Sequence, residues 1–356
     1  MLPRVSVDAA VTFAGRVHQP RRQAAAPVAR RGGSGYDATM HPDARVTYDA
    51  RTLPSGKRAV AIGNFDGVHR GHARLIEGMI GAARAQGLEA CVLTFDPHPA
   101  RLLAPDRVPP LLIAESRRIE LLLALGADRV IVQPFDLSLA SLSPHEFAES
   151  LLRQAVGARV VCVGYDFSFG QKRAGTTETL SELGSTLGFR TITTPVVRVR
   201  GVVCSSTTIR GLVQAGHVED ATALLGRPPE LEGIVIRGAA RGRTIGFPTA
   251  NLEPHTQVLP APGVYAARAE LPDGTRVRAA VNIGTNPTFS DDHTVHIEAH
   301  LLDWQGDLYG AKLRLLCEAR LRDERRFDGK DALVAQLHDD VAATRALELP
   351  PLPPLD

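Results

Sequence analysis

Apolar, β-branched runs alternate with helical patterns along the first half of the chain. The runs lie at residues 59–62, 90–95, 129–132, 159–163 and 191–197. The helical patterns between them lie at residues 73–85, 116–125, 143–156 and 177–187. The sequence SPHE at residues 143–146 reads as a capping box with Pro at the first helical position. This alternation predicts a mainly parallel sheet covered by helices on both faces, with ligands at the carboxyl ends of its strands.

The pattern changes after LGRPP at residues 225–229. Strand-like segments now follow one another directly, at residues 231–237, 263–271, 275–283, 295–302 and 312–318. Asp273-Gly274 is a hairpin signal between two of them. Consecutive short strands predict a small antiparallel barrel or sandwich, and residues 331–347 predict a closing amphipathic helix.

The two patterns indicate an α/β domain over residues 45–220 and a β-barrel domain over residues 227–350. Residues 1–44 are rich in Ala, Arg, Gly and Pro and show little periodicity, which favours a disordered basic extension. Met40 is an alternative start of the chain, and a basic nucleic-acid arm is the other interpretation of this segment.

Composition narrows the class of partner. The net charge of +2 gives no argument for a nucleic-acid or membrane partner, and no apolar run approaches the roughly 18 residues of a membrane span. The four cysteines form no CxxC pair, so we expect neither disulfides nor zinc, and a reducing cytoplasm. We also expect small-molecule substrates and a monomer or weak homo-oligomer.

A strand-to-helix turn carries the sequence GNFDGVHRGH at residues 63–72. Backbone N–H groups at a helix start attract phosphate, and glycines allow a ligand to come close. His69 and His72 are three residues apart, so both can point at one ligand and supply donors and positive charge to a phosphorus centre. A zinc pair or helix-capping histidines are the alternatives. The other candidate phosphate-binding residues of this turn are Gly63, Phe65, Asp66 and Gly71.

Two later segments could complete this phosphate site. Residues 163–173 follow a buried run and could bring Asp166 and two cations to a phosphate, or could be a surface turn with solvated charges. The sequence SSTTIR at residues 205–210 could grip a second phosphate, or could be an ordinary Ser/Thr N-cap. Its candidate residues are Ser206, Thr208 and Arg210. His98, in the sequence DPHP, could be catalytic or could stand in a rigid loop that shapes a pocket wall.

The order of the motifs is specific. GxFDGxHxGH, GxDFxFG, SSTxIR and GRxxGFPTANL (residues 242–252) follow one another, and GVY at 263–265, NIGTNPTF at 282–289 and RFDG at 326–329 come after them. Over about residues 57–345 this order resembles the bacterial bifunctional riboflavin kinase/FAD synthetase family. The resemblance implies a Rossmann-like HxGH nucleotidyltransferase domain (FMN adenylyltransferase), followed by a small antiparallel riboflavin kinase β-barrel with a C-terminal helix.

The resemblance also implies two ATP-dependent reactions, riboflavin to FMN and then FMN to FAD with release of pyrophosphate. Mg²⁺ and ATP would serve both, with riboflavin, FMN and FAD as substrates and products. His69 and His72 would stabilise the α-phosphate transition state, while Thr249 and Asn251 would hold the magnesium of a second ATP, a role that hydroxyl and amide oxygens suit. Gly246 and Pro248 of the same motif would bind that ATP. A nucleotidyltransferase for another phosphate acceptor and a non-catalytic flavin-binding protein are the alternatives.

Glu298 matches the family's proposed general base for deprotonating riboflavin. A strand has period two, so His296, Glu298 and His300 share one face, which would also suit a two-His-one-carboxylate iron site. Arg326 and Phe327 resemble the segment that closes over flavin, where Phe327 could pack on the ring system or be a core phenylalanine.

Overall fold

The computed structural model describes residues 43–238, 242–254, 257–285, 295–348, 353 and 355. The expectations for the basic extension up to residue 42, with its alternative start at Met40, lie outside the described residues. The same holds for residues 286–289 of the NIGTNPTF motif. The described residues all belong to one compact unit, Ala38–Asp356.

The first half of the described chain forms a parallel sheet, as predicted. Its strands are β1 (Val46–Tyr48), β2 (Arg58–Ile62), β3 (Glu89–Asp96), β4 (Arg129–Pro134), β5 (Ala158–Gly164) and β6 (Arg190–Thr194). They lie in the order β1-β4-β3-β2-β5-β6, and all pairings are parallel. The chain runs from β2 to β3 and β4 on one side and returns to β5 and β6 on the other. The topological switch point, where such sheets bind ligands, therefore lies between β2 and β5.

Helices cover both faces of this sheet. They are α1 (Arg70–Gln86), α2 (Ala100–Leu103), α3 (Glu115–Ala124), α4 (Leu137–Ala140), α5 (Pro144–Glu146), α6 (Thr177–Leu187), α7 (Ser206–Gln214) and α8 (Val218–Leu225). The predicted capping box is confirmed at the start of α5, which continues as a π-helix over Phe147–Ala155. A two-stranded ribbon, β7 (Arg198–Val199) and β8 (Val202–Val203), precedes α7.

Strand β2 shows how the sheet separates two apolar layers. Ala59 and Ala61 pack in one cluster with residues of α1, and Val60 and Ile62 pack in the other cluster with Leu152. Successive strand residues point to opposite faces, so a strand buried on both faces reads as a continuous apolar run. The periodicity therefore located β2 correctly. The run at residues 191–197 was predicted too long, because β6 ends at Thr194, just before a proline that lacks a backbone N–H.

The second half forms a closed antiparallel barrel, the first of the two predicted possibilities. Its strands are β9 (Glu230–Ile236), β10 (Ala250–Pro254), β11 (Gly263–Glu270), β12 (Arg276–Thr285), β13 (Val295–Leu301) and β14 (Lys312–Arg322). They close in the order β10-β13-β12-β11-β14-β9. Helix α9 (Lys330–Ala346) follows, as predicted. The predicted hairpin turn at Asp273-Gly274 is also present, with Gly274 at a φ of 82°.

The sequence did not predict β1 or β10. Strand β1 has three residues, too few to show a period, and it joins the sheet by pairing with β4. Strand β10 begins within the GFPTANL motif, at Ala250, where Pro and small polar residues have the composition of a turn. Both strands are defined by their partners rather than by their own composition.

Candidate active sites

The turn of residues 63–72 lies at the switch point of the sheet, between the end of β2 and the start of α1. Its backbone is sharply bent, because Phe65, Gly67 and Val68 have φ values of 52°, 84° and 40°. Positive φ strains a non-glycine residue, so surrounding contacts must hold this conformation. Phe65 is fully buried and anchors the turn. A Cβ on Gly63 would come within 3.2 Å of the Phe65 ring, which explains a glycine there.

His69 and His72 cap helix α1 reciprocally. The backbone N–H of His72 donates to His69 Nδ1, and the backbone N–H of His69 donates to His72 Nδ1, both at 3.3 Å. The two rings stack with centroids 3.6 Å apart. Because each Nδ1 accepts a hydrogen bond, each neutral ring carries its proton on Nε2. The helix-capping alternative is therefore confirmed, and the same geometry leaves the Nε2–H of each stacked ring as its hydrogen-bond donor.

The charge of the two imidazoles differs from the expectation. Burial, followed by the charge of Arg227, lowers the pKa of His69 to about 3. Burial, His69 and Arg227 lower the pKa of His72 well below its usual value. Both rings are therefore neutral at pH 7 and supply N–H donors rather than positive charge. The positive charge beside the turn belongs to Arg227, whose guanidinium donates to the carbonyl oxygens of Gly67 and Val68.

The SSTTIR segment is brought against the same turn. Ser206 Oγ donates to the backbone oxygen of Asp66 at 2.8 Å, and Arg210 Nη2 donates to Asp66 Oδ2 at 3.0 Å. The Asp66 carboxylate also accepts from the backbone N–H of Leu112 at 2.8 Å. Thr208 is engaged in the N-cap of α7, because its backbone N–H donates to Ser205 Oγ. The N-cap interpretation is thus confirmed, with Ser205 as the cap, while the phosphate-binding role of Ser206, Thr208 and Arg210 stays a prediction.

The remaining predicted residues of the first site lie less close to the turn. Gly71 belongs to the first turn of α1, and a Cβ there would come within 3.1 Å of the His69 ring. Asp166 is exposed just after β5, at the same edge of the sheet. Lys172 and Arg173 lie on an exposed 3₁₀ turn, so the surface-turn interpretation describes these two cations. His98 Nε2 lies 3.3 Å from Asn64 Nδ2, which places His98 in a wall beside the turn.

The second site is a cavity of about 290 Å³ between the outer face of the barrel and helix α9. The strand register places Asn251 of β10 opposite Glu298 of β13, and Glu298 opposite Asn282 of β12. Ile297 and Ala299, which flank Glu298 in β13, belong to the barrel core. Side chains alternate along a strand, so Glu298 and the two asparagines opposite it point to the outer face of the barrel. An amide, a carboxylate and a second amide therefore form one row across three strands.

The GFPTAN loop forms one wall of this cavity. Thr249 lines the cavity and directly precedes β10, two residues before Asn251. Gly246, at a φ of 89°, and Pro248 are both exposed, and the Pro248 oxygen accepts a hydrogen bond from His300 Nδ1 at 2.9 Å. A Cβ on Gly238 would lie 2.3 Å from the Asn251 amide, so a glycine there gives Asn251 its space.

The two histidines beside Glu298 have different surroundings. His300 lines the cavity and packs edge-on against the buried ring of Phe247 at 5.4 Å, which gives it a part in holding the loop. His296 is exposed. Among the residues that the structure describes, no group of three or more His, Cys, Asp or Glu side chains could hold a metal ion, so the iron-site interpretation has no support.

Helix α9 forms the opposite wall. Its residues Leu333, Leu337 and Val341 line the cavity, so the apolar face predicted for this helix points at the site rather than into the core. Asp340 accepts two hydrogen bonds from Arg322 of β14, at 2.9 and 2.7 Å, and this ion pair fixes the helix on the barrel.

The RFDG segment approaches the same cavity through its phenylalanine. Phe327 lines the cavity and lies under the guanidinium groups of Arg325 at 4.9 Å and Arg322 at 5.7 Å. It is therefore not a core phenylalanine. The side chain of Arg326 is exposed, and Arg325 instead lines the cavity.

Three site residues escaped the sequence analysis. Asn282 could have been found, since strand parity and the adjoining NIG sequence place it on the Glu298 face. Asp340 and Arg227 carry no local signal. Asp340 binds Arg322, 18 residues away, and Arg227 binds the Gly67 oxygen, 160 residues away, and only the fold brings these partners together.

Comparisons with known proteins agree over both halves of the chain. The sequence profile of a family described as FAD synthetase matches residues 53–208, and the profile of a family described as riboflavin kinase matches residues 225–348. A bifunctional riboflavin kinase/FMN adenylyltransferase from Pseudomonas fluorescens is 37% identical over 83% of this chain and 95% of its own length. The protein of the same description from Bacillus subtilis is 36% identical over 80% of this chain and 90% of its own length.

A solved structure has the same fold. It is described as a macrolide-efflux protein from Streptococcus pneumoniae, with a TM-score of 0.77 and 31% identity, covering 85% of this chain and all of that one. Within the described part of the present chain, no helix has the length and apolar character needed to cross a membrane.

Proposed function

The chain belongs to the family of bifunctional riboflavin kinase/FMN adenylyltransferases, and we propose which of its residues carry out each of the two reactions. The family resemblance of the motifs is thereby confirmed. The enzyme phosphorylates riboflavin to FMN and adenylylates FMN to FAD, and ATP is a substrate of both steps. The alternatives, another phosphate acceptor or a protein without catalysis, are not favoured.

Adenylyl transfer is assigned to the turn of residues 63–72. A phosphate oxygen of FMN attacks the α-phosphorus of ATP, the bond to the β-phosphate oxygen breaks, and pyrophosphate leaves. The Nε2–H groups of the stacked His69 and His72 would donate to the oxygens of the α-phosphate, where charge increases in the transition state. Arg210 and Ser206 adjoin the turn and would bind phosphates, with Asp166 at the same sheet edge.

In this assignment Arg210 changes partner when ATP binds. In the structure its guanidinium is paired with Asp66, and the pair is buried, with side chains 12% and 4% exposed. A phosphate is a stronger bidentate partner for a guanidinium than a single carboxylate oxygen is. The carboxylate of Asp66 would keep its hydrogen bond from the Leu112 backbone N–H.

Riboflavin phosphorylation is assigned to the cavity beside α9. Glu298 takes the proton of the ribityl hydroxyl, whose oxygen then attacks the γ-phosphorus of ATP and releases ADP. Phe327 and the apolar face of α9 would cover the flavin ring. The RFDG resemblance also assigned Arg326 to flavin, and that role stays a prediction.

Thr249 and Asn251 would hold Mg²⁺ with the ATP phosphates, together with the backbone of Gly246 and Pro248. Hydroxyl and amide oxygens are hard ligands of the kind that this ion prefers. Two observations support the proposal: Thr249 and Glu298 line the same cavity, and the register sets Asn251 opposite Glu298. When bound, the ion neutralises charge on the phosphates. The few protein ligands fit an ion that keeps most of its waters and binds through substrate phosphates.

The observation that carries the proposal is the register that aligns Asn251, Glu298 and Asn282 across three strands, with Glu298 and Asn282 on the wall of the 290 Å³ cavity, at a distance in sequence from the stacked histidines. One chain thus contains two chemically different phosphate-transfer sites. Three expectations stay predictions: a cytoplasmic location, a monomer or weak homo-oligomer, and domain bounds of residues 45–220 and 227–350.

Product analysis tests the assignment. Purified protein with riboflavin, ATP and Mg²⁺ should form FMN first and FAD later, as seen by chromatography of the flavins. FMN without FAD would mean that the turn of residues 63–72 serves another acceptor. No consumption of riboflavin would contradict the barrel assignment, and FMN would then be supplied directly to test the other half.

A further inference from the structure

Arg227 occupies the connection between the two halves of the chain. It follows Gly226, which ends α8 in the left-handed conformation at a φ of 82°, and it precedes two prolines and the first residue of β9, Glu230. Prolines restrict the backbone, and Gly226 packs closely enough that a Cβ there would lie 3.2 Å from Arg70 of α1. The backbone around Arg227 is therefore fixed against the start of α1.

The guanidinium of Arg227 reaches the strained part of the histidine turn. Its Nη2 donates to the oxygen of Gly67 at 2.7 Å, and its Nη1 donates to the oxygen of Val68 at 3.1 Å. These two residues have the positive φ values described above and directly precede His69. A planar fork that binds two consecutive carbonyl oxygens fixes the peptide orientation that starts α1.

The Nε–H group of Arg227 binds a residue of the barrel, Glu230 of β9. Its Nε donates to Glu230 Oε1 at 2.9 Å, and Arg117 of α3 donates to the same carboxylate at 2.8 and 3.2 Å. Glu230 is 6% exposed, so its charge is largely removed from water and is balanced by these arginines. The charges of Glu230, Arg117 and Arg314 act on the Arg227 guanidinium. The charge of Arg227 in turn contributes, after burial, to the lowered pKa of His69 and of His72.

We propose that Arg227 is a positioning residue of adenylyl transfer. It fixes the Gly67 and Val68 carbonyls so that the Nε2–H groups of His69 and His72 meet the α-phosphate, and Glu230 anchors it to the barrel domain. The inference rests on the roles proposed above for the two histidines. It adds a residue from the domain connection to a site that the HxGH motif alone was expected to form.

The test uses two variants of the full-length enzyme. Arg227→Gln removes the fork and the charge, and Arg227→Lys keeps the charge alone. FAD formation from supplied FMN is measured with saturating ATP and Mg²⁺. A misplacement of about 1 Å costs about 100-fold in rate, so we expect kcat to fall roughly 100-fold in the Gln variant and roughly 10-fold in the Lys variant, with KM values within about threefold.

The split between kcat and KM separates position from substrate binding. Burial is the largest cause of the lowered pKa of both imidazoles, so both rings should stay neutral in the two variants between about pH 8 and about pH 5.5. The loss in each variant should therefore be constant over this range and should lie in kcat. A variant that only weakened ATP or FMN binding would instead raise the KM values.

Two controls make the result decisive. Riboflavin phosphorylation by the same preparations should be unchanged, which reports a folded chain, and Arg74→Gln on the exposed face of α1 should leave both activities unchanged. The proposal is overturned if Arg227→Gln forms FAD at the normal rate, or if both Arg227 variants lose the two activities equally. His72→Asn is assayed in parallel, because normal FAD formation by that variant would remove the histidine assignment itself.

Discussion

The two proposed phosphate-transfer sites of this enzyme differ in how their polar groups are paired. At the histidine turn, polar groups are paired with one another: the two imidazoles cap each other's backbone and Arg210 binds Asp66. At the barrel, Glu298 lies in a row of side chains on the wall of a cavity of about 290 Å³. In the proposed assignment, phosphate replaces internal partners at the first site, whereas the cavity at the second site already provides space. A buried polar group without a hydrogen-bond partner lowers the stability of the folded chain by about 1–3 kcal/mol, so the mutual pairing of these groups is stabilising.

The largest effect is expected at Glu298, on the wall of the barrel cavity. Replacing Glu298 by Gln removes the base and keeps the shape, so riboflavin phosphorylation should fall by about 10²–10⁴-fold. FAD formation from supplied FMN should stay within about twofold, since that reaction uses the other site. Both rates are measured by chromatography of the flavins.

His296→Gln is the matched control, because His296 lies on the same strand and face and is exposed. It should leave both rates unchanged. Equal loss of the two activities in Glu298→Gln would contradict the assignment of the reactions to separate sites.

The next largest effect is expected at His72, in the histidine turn of residues 63–72. The Oδ1 atom of an asparagine can replace His72 Nδ1 as acceptor for the His69 backbone, so His72→Asn keeps the cap but removes the Nε2–H donor. Loss of one donor to a transition-state oxygen costs about 10²–10³-fold, and FAD formation should fall by that factor. Steady-state assays with FMN and ATP measure it.

Riboflavin phosphorylation by His72→Asn serves as the internal control and should be normal. A rate of FAD formation equal to that of the wild type would show that the stacked histidines do not contact the reacting phosphate.

A third prediction concerns stability at acidic pH. The pKa of His69 is lowered to about 3, below the roughly 6.5 of an unfolded chain, so the unfolded state binds more protons between these values. Stability should therefore fall as pH drops below about 7, and His69 alone should cost about 2 kcal/mol between pH 7 and pH 5. Urea unfolding at the two pH values measures the change.

His69→Asn should reduce this loss by about 2 kcal/mol, because asparagine also caps helices and does not titrate. The same change at the exposed His145 should not alter the pH dependence. An unchanged acid dependence in His69→Asn would mean that the imidazole is not held neutral by burial.

The smallest effect is expected for the residue that changes partner. Arg210→Gln should raise the KM for ATP in FAD formation by roughly tenfold, since a charge-assisted hydrogen bond is worth about 1.5–3 kcal/mol and the broken pair with Asp66 offsets part of it. The kcat should change less than the KM. A lowered KM would instead show that Arg210 serves only to hold Asp66.

Much of the fold could be predicted because periodicity reports local geometry. Strand β2 and helix α6 were found from the alternation of apolar runs, and α6 has the predicted bounds of residues 177–187. Strand β10 was missed, because the GFPTANL motif has the composition of a loop and becomes a strand only between β9 and β13. The period of a strand predicted that Glu298 and His300 share one face. That Asn251 lies opposite Glu298 could not be predicted, because it depends on the pairing register of β10 with β13.

The sequence by itself determined the order of the motifs, the two fold classes and the chemical groups at each site. The tertiary structure decided which of those groups meet and in which charge state. Burial beside Arg227 keeps His69 and His72 neutral, Asp66 binds Arg210 across 144 residues, and helix α9 turns its apolar face to the cavity. The reason is physical: propensity and period act over a few residues, whereas pKa values, ion pairs and cavities depend on neighbours that only the folded chain brings together.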